Sequence, residues 1–139
     1  MPEDIIIGRD ESDKKRFGAE GLVYLGKHYV KMGSITSLSN RIMLDVARAH
    51  VVLVAGKRGS GKSYTLGTIA EEIATLPPEV AQNIAVLLFD TMGIFWTMKY
   101  KNDKEIEMLR EWGLETRKIP VRVFVPFGKI KEYDSKGIP

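Results

Sequence analysis

The sequence contains no cysteine and only two histidines, His28 and His50. The absence of cysteine excludes disulfide bonds and thiolate metal sites. Two histidines that stand far apart in the chain argue against a structural zinc site. We therefore expect any metal ion to arrive together with a bound ligand.

Long apolar runs and a basic leader are also missing. The start Met1 to Asp4 has no cluster of positive charge, and no apolar run reaches the roughly 20 residues that cross a bilayer. The sequence therefore predicts a cytoplasmic protein without a membrane partner. Net charge is low as well, at +3 with a pI near 9.1, which permits an anionic partner such as nucleic acid without arguing for one.

The remaining composition is that of an ordinary globular domain. The chain has 139 residues, of which 44% are hydrophobic and 28% charged, so one modest core can form. One local pattern is far more specific. Residues 56–63 read G-K-R-G-S-G-K-S and match the P-loop pattern G-x-x-x-x-G-K-[ST]. The apolar run at residues 51–55 precedes them and a helical pattern follows, which predicts a strand, a loop and a helix.

The chemistry of polyphosphate binding explains each residue type in this segment, which we call the phosphate loop. Its glycines let successive backbone N–H groups turn towards an anion at the positive end of the helix. Lys62 can reach the outer phosphates, and the Ser63 hydroxyl can coordinate a bridging Mg²⁺. A glycine-rich turn that binds nothing has no use for Lys62 and Ser63. The candidate ATP-binding residues are Gly56, Lys57, Arg58, Gly59, Ser60, Gly61, Lys62, Ser63 and Tyr64. Solvated loop charges remain the simpler interpretation of Lys57 and Arg58.

A second apolar run covers residues 84–89 and ends at Asp90. A strand, a helix and a strand in this order pair in parallel, so Asp90 is expected at the sheet edge that carries the phosphate loop. Its carboxylate could hold Mg²⁺ through water or orient a nucleophile, which makes Asp90 a catalytic candidate beside Lys62. The alternative is an aspartate that caps a turn. Phe95 and Trp96 could stack on a base, although packing is the simpler interpretation.

The rest of the chain shows shorter patterns. Ile5 to Ile7 reads as a strand and residues 9–16 as a charged loop, and a β-hairpin with its turn at Gly26 and Lys27 is predicted for residues 22–32. Residues 41–46 fit a strand or a short helix. The helix after Ser63 carries an apolar core stripe and must end before Pro77. Further predictions are a capping box from Asn102 to Glu105, a helix stop at Gly113, a strand at residues 121–125 and no regular pattern after Lys129. These patterns predict an α/β protein with a β-rich segment at residues 1–46 and a parallel-sheet P-loop core at residues 47–139.

Two stretches together resemble the archaeal HerA branch of the HerA/FtsK superfamily. They are A-H-V-V-L-V-A-G-K-R-G-S-G-K-S at residues 49–63 and D-T-M-G-I-F at residues 90–95. In that family a small β-barrel precedes a RecA-like ATPase core, a histidine often stands just before the phosphate-loop strand, and a D-P-H-G-E-Y-like motif ends the next strand. The resemblance spans nearly the whole chain. It implies an ATP-driven, DNA-translocating motor that uses ATP and Mg²⁺, assembles as a homo-oligomeric ring and places His50 near the site.

The resemblance also implies elements that this sequence does not show. Asp90 matches the D-P-H-G-E-Y-like motif, so we do not assign it as the Walker B aspartate. No later apolar strand ends in Asp-Glu, and neither a catalytic glutamate nor an arginine finger is identifiable. Thr91, Met92 and Ile94 replace the usual proline, histidine and glutamate, which indicates a divergent subgroup. We expect an incomplete core, an amino-terminal portion of a longer ATPase that binds ATP and hydrolyses it poorly.

Two other functions remain open at this point. Asp90 and Gly93 also resemble the D-x-x-G switch of small GTPases, although no N-K-x-D guanine-reading motif follows. A nucleotide-binding interaction module without turnover is the third possibility. The sequence does not separate this module from a portion of a motor.

Overall fold

The structure is a computed structural model that describes residues 3–138. The chain forms two compact units, one that ends at Val86 and one that begins at Leu87. The described residues combine a small mixed sheet with several helices, which confirms the α/β class at this coarse level. The division into segments 1–46 and 47–139 stays a prediction.

The sheet of the first unit contains three strands in the order β1-β3-β2, namely β1 (Ile5–Ile7), β2 (Leu22–Met32) and β3 (Ile35–Asp45). Strand β1 runs parallel to β3, and β2 runs antiparallel to it. The predicted strand at Ile5 is confirmed, and residues 41–45 are strand and not helix. Val23 and Leu44 are paired and nearly inaccessible to solvent, so the core lies where all three strands overlap.

The hairpin turn lies elsewhere than the sequence predicts. Strand β2 continues through Gly26, and the chain reverses at Gly33 and Ser34, where Gly33 has a φ of 62°. The register between β2 and β3 shifts around Gly26. A glycine inside a strand often marks such a bulge, because the backbone can deviate there without a side chain to accommodate. The prediction mistook this bulge for a turn.

Residues 9–16, predicted as a loop, form most of α1 (Glu11–Phe17). The Asp10 carboxylate accepts the Asp13 N–H at 2.8 Å and thereby caps the helix. Acidic residues occupy the first turn of α1 and basic residues the last, which is the order that the helix dipole favours. The charges mostly cancel in number, but their segregation along the segment was the helix signal.

Helix α2 (Lys62–Ala74) follows the phosphate loop and ends before Pro77, as predicted. It packs on β2 through its buried residues Gly67 and Ala70. Leu66 remains 43% exposed, so the predicted core stripe is only partly buried. The short helix α3 (Pro78–Ala81) begins with Pro78 at its first turn, where a missing N–H costs no helical hydrogen bond.

Three predicted strands are absent. Residues 51–55, 84–89 and 121–125 lie outside every strand of the described chain, and Leu53, Phe89 and Phe124 are each more than 80% exposed. An apolar run becomes a central strand only when neighbouring strands complete its hydrogen bonds and cover both faces. No strand within residues 3–138 pairs with these runs, so the predicted parallel pairing of residues 51–55 with 84–89 was wrong for this structure.

The second unit consists of short helices. They are a 3₁₀ helix (Phe95–Lys99), a 3₁₀ turn (Asp103–Glu105) that leads into α4 (Ile106–Glu111), and a 3₁₀ turn (Phe127–Lys129) that leads into α5 (Ile130–Ser135). Met98 and Ile119 are buried, and the Ile119 N–H donates to the Met98 carbonyl at 2.9 Å. None of the helices within residues 3–138 has the length and apolar character that a membrane-spanning helix needs.

Three of the predictions for this unit have different outcomes. Gly113, with a φ of 73°, ends α4 as predicted. The predicted capping box is wrong, because the Asn102 side-chain amide donates to the Glu105 carboxylate at 2.7 Å and does not cap a backbone N–H. The segment after Lys129, predicted to be irregular, is mostly helical as α5.

The first unit buries an ion pair between Arg9 and Asp45, whose side chains are both inaccessible to solvent. The guanidinium donates to the Asp45 carboxylate from both Nε and Nη2. It also donates to the carbonyl oxygens of Gly18 and Glu20, each at 2.7 Å. Burial by itself raises the pKa of Asp45, but hydrogen bonds from His50, Arg9 and the Ala47 N–H outweigh it and hold the pKa below its ordinary value of 3.8.

We expect Asp45→Asn to destabilise the first unit strongly, because it leaves the buried Arg9 charge without its counterion. Loss of one partner of a buried pair costs about 3–5 kcal/mol. Asp4→Asn is the matched control, since Asp4 pairs with Arg41 at the surface, where a pair contributes about 1 kcal/mol or less. Urea unfolding followed by far-ultraviolet circular dichroism measures both. Equal losses for the two variants would contradict the assignment.

The lowered pKa of Asp45 also predicts a pH dependence. The carboxyl group is ionised at lower pH in the folded than in the unfolded chain, so its contribution to stability is complete above about pH 5, where the carboxyl group is ionised in both states. The contribution is lost as the pH falls through the folded pKa. The difference in unfolding free energy between wild type and Asp45→Asn should therefore shrink between pH 5 and the acid limit of about pH 2. A difference that stays constant over this interval would rule out the linkage.

Candidate functional site

The phosphate loop folds as a tight turn that leads directly into α2. The Ser60 N–H donates to the Lys57 carbonyl at 3.2 Å. Gly59 and Gly61 take left-handed conformations, with φ values of 77° and 84°, which other residues rarely adopt. These two glycines let the chain reverse and begin the helix at Lys62 within a few residues.

Gly56 is required for a different reason. A β-carbon at this position would collide with the Ser60 side-chain oxygen and would lie 3.2 Å from the Ser60 β-carbon. A side chain at residue 56 would therefore require the Ser60 hydroxyl to rotate away and the two ends of the turn to move apart slightly. The spacing of the three glycines follows from one close approach and two left-handed residues.

The Lys62 side chain folds back over the loop. Its ammonium group donates to the carbonyl oxygens of Gly56 at 2.9 Å and Lys57 at 2.8 Å. An ammonium group has three donors and is partly exposed here, so it can exchange these neutral acceptors for an anion. Lys62 thus holds a positive charge directly over the concave side of the loop.

The amino-terminal end of α2 has no compensation for its partial positive charge. Its cap residue, Gly61, offers no side-chain acceptor, and its first turn contains no acidic residue. The first N–H groups of a helix lack partners within the helix, so this end suits an anion. Among the described residues, none forms a hydrogen bond with the Ser63 hydroxyl, which leaves it available to a ligand.

The two other cations of the loop are solvated. Lys57 and Arg58 are exposed, and neither forms an ion pair with another described residue. Tyr64 is 66% exposed on the first turn of α2. All nine candidate residues thus lie on one continuous segment with its polar groups accessible, and this arrangement fits a polyphosphate and its magnesium ion.

His50 lies just before residues 51–55, which lead into the phosphate loop, and it contacts the end of the small sheet. Its Nε2 is 2.8 Å from Oδ2 of Asp45, and its ring packs so closely on Gly8 that a β-carbon there would be 3.0 Å away. Gly8 has a φ of 88°, a conformation that favours glycine for a second reason. His50 therefore belongs to the buried network of Arg9 and Asp45.

Asp90 belongs to the second unit, and its surroundings are local. Its Oδ1 accepts the N–H groups of Met92 at 3.2 Å and Gly93 at 2.8 Å. Its Oδ2 accepts those of Ile94 at 2.6 Å and Phe95 at 2.8 Å. A carboxylate has about four acceptor sites, so backbone donors occupy both oxygens. The catalytic role of Asp90 stays a prediction.

Trp96 and Phe95 complete this turn. The Trp96 indole N–H donates to the Gly93 carbonyl at 2.9 Å, and its ring meets Tyr100 edge to face at 6.1 Å between centroids. Both aromatic residues of the pair at 95 and 96 are partly buried. This geometry favours packing over stacking on a base.

A cleft of about 450 Å³ lies elsewhere in the first unit, between the turn after α1 and the turn after α2. Leu76 and Val80 supply apolar lining, and the charged residues at its wall are Glu20 and Glu79. Acidic walls repel phosphate, so this cleft is no alternative nucleotide site. No cluster of three metal-binding side chains occurs in residues 3–138.

Sequence reasoning missed the partners of His50. Arg9 stood in a segment interpreted as a loop, and Asp45 stood in one interpreted as either strand or helix. One signal was present, since Asp45, like Asp90, directly follows an apolar run. An acidic residue at such a position lies at the edge of the core, where its carboxylate needs hydrogen-bond donors.

The comparisons with known proteins identify a family for this chain. The family described as “Helicase HerA, central domain” matches residues 29–127, well over half of the chain, and the match includes the phosphate loop and Asp90. Neither a curated protein nor a solved structure matches the chain. The chain belongs to the HerA family, within the HerA/FtsK type of ATPases.

Proposed function

We propose that this chain is the ATP-binding module of a HerA-type P-loop ATPase, with residues 56–63 as the phosphate site. The observation that carries the proposal is the Lys62 ammonium group, held over the loop by two carbonyl oxygens at the uncapped end of α2. The helix dipole, the first N–H groups of α2 and the Lys62 ammonium group lie together at this end of the helix. A polyphosphate is the ligand that uses all three.

Binding replaces weak contacts with stronger ones. The Lys62 bonds to the Gly56 and Lys57 carbonyls are charge–neutral, whereas those to a phosphate are between two charges and are roughly twice as strong. The exchange requires only rotation of a flexible side chain. Ser63 stands one residue further on, where its free hydroxyl would hold the Mg²⁺ that accompanies the nucleotide.

Membership of the family supports the wider parts of the proposal. HerA-type proteins are ATPases, and DNA translocation, ring assembly of identical subunits and a RecA-like core at residues 47–139 are proposed here by analogy. The β-rich segment 1–46 corresponds in this proposal to the small barrel that precedes such cores. The net charge of +3 is compatible with a nucleic acid partner.

We expect Mg-ATP to bind, and Lys62→Ala to weaken that binding. A charge-assisted hydrogen bond contributes about 1.5–3 kcal/mol, which corresponds to about a ten- to hundredfold rise in Kd. Calorimetric titration measures the affinity. Lys15→Ala is the matched control, because Lys15 is an exposed lysine on α1 and its replacement removes the same charge.

Titration with Mg-GTP tests the switch alternative. ATP selectivity that Lys62→Ala abolishes and Lys15→Ala preserves would support the ATPase module. A preference for GTP would favour the D-x-x-G switch. Affinity that is the same for wild type and Lys62→Ala would overturn the phosphate-loop assignment.

We also expect binding without efficient turnover. Phosphoryl transfer needs a positioned water and groups that neutralise charge, and the sequence of 139 residues offers no identifiable Asp-Glu pair or arginine finger for these tasks. Phosphate release by the chain should therefore stay near the no-protein background with or without double-stranded DNA. Robust DNA-stimulated hydrolysis that Lys62→Ala abolishes would show that the catalytic groups are present after all.

A further inference from the structure

The segment from Asp90 to Trp96, here called the Asp90 turn, is held together almost entirely by its own atoms. Four consecutive N–H groups, those of residues 92 to 95, point at one carboxylate with N···O distances of 2.6–3.2 Å. The chain can converge in this way only if it doubles back over Asp90. Gly93 provides the reversal with a φ of 66°.

The reversal also explains the glycine of the motif. A β-carbon at residue 93 would be strained at this φ and would lie 3.4 Å from the Tyr133 hydroxyl. The Gly93 carbonyl then accepts the Trp96 indole N–H at 2.9 Å, and the Ile94 carbonyl accepts the Thr97 hydroxyl at 2.7 Å. The 3₁₀ helix Phe95–Lys99 starts from this arrangement, and its first N–H, at Phe95, is among the four donors to Asp90.

We propose that Asp90 is a positioning residue whose carboxylate shapes the Asp90 turn, and that it neither binds Mg²⁺ nor orients a nucleophile. Both oxygens are saturated by backbone donors. To coordinate a metal ion, the carboxylate would have to abandon at least one N–H pair and leave it without a partner. The Asp90 turn is thus capped by one carboxylate, reversed by one left-handed glycine and closed by the Trp96 indole N–H on the Gly93 carbonyl.

Amide hydrogen exchange and fluorescence test the proposal on the whole chain without nucleotide. Asp90→Asn keeps the shape of the side chain but removes its charge and replaces one acceptor oxygen with an NH₂ group. Asp90→Ala removes both oxygens. Exchange at residues 92–95 should accelerate at least tenfold in Asp90→Ala, and the Trp96 emission should shift in both variants. Asp134→Asn is the matched control, since Asp134 is an exposed aspartate of the same unit. The sequence has two tryptophans, Trp96 and Trp112, so Trp96→Phe shows which part of the emission comes from Trp96.

Gly93→Ala supplies an independent variant that keeps the carboxylate. If Asp90 acts only through the turn, Gly93→Ala should reproduce the change in Trp96 emission seen in Asp90→Asn. Unchanged exchange and emission in Asp90→Ala and Gly93→Ala would overturn the proposal, because the turn would then not depend on its cap.

The metal test rests on the proposed function, since it uses ATP binding. The ratio of ATP affinity with Mg²⁺ to that in excess chelator should be the same in wild type and Asp90→Asn, within about twofold. A Mg²⁺ ligand would instead lower this ratio tenfold or more in Asp90→Asn, and that result would overturn the proposal. If wild type bound no ATP, the proposed function would fail, and the exchange and emission measurements would still decide the role of Asp90.

Discussion

The buried carboxylate of Asp45 is the constraint on which the first unit depends. It lies at the end of β3 beside the small core, and a charge in that position is tolerated only with complete partners. Arg9 supplies the counterion and extends the network to the carbonyls of Gly18 and Glu20, so one guanidinium fixes the start of α1, the turn after it and the end of β3. The close approaches at Gly8 and Gly21 follow from this arrangement, because both glycines pack on residues 47–50 just after Asp45.

Asp90 shows the second way in which a protein can accommodate a carboxylate at the end of an apolar run. Asp45 pairs with Arg9, a cation 36 residues away in the chain, as well as with the nearby His50, whereas Asp90 uses only N–H groups within five residues of itself. The difference matters for function. A group with distant partners couples elements of the fold, and a group with local partners determines one turn and little else.

The success of prediction from sequence depended on whether the interactions were local. The phosphate loop, the start of α2 and its end before Pro77 follow from residues a few positions apart, and the structure has them as expected. The capping of α1 by Asp10 was equally local but hidden, because the charges were counted and their order was not considered. The misplaced hairpin turn has a similar origin, since a bulge at Gly26 and a turn at Gly33 differ only in the register that β3 imposes.

The missing strands have another cause. An apolar run such as residues 51–55 specifies that the segment should be buried, but the partner that buries it is not encoded in the run itself. The loop and helix beside it form without that partner, because glycine conformations, a turn and one amphipathic helix suffice for them. The glycine-rich turn at residues 56–61 and the start of α2 thus form in this chain, with Leu53 still 87% exposed nearby. Residues 51–55, which precede the phosphate loop, are not fixed in a sheet, so the loop must lose conformational entropy when it closes on a phosphate. Its affinity for phosphate should therefore be lower than that of a loop already held in a sheet.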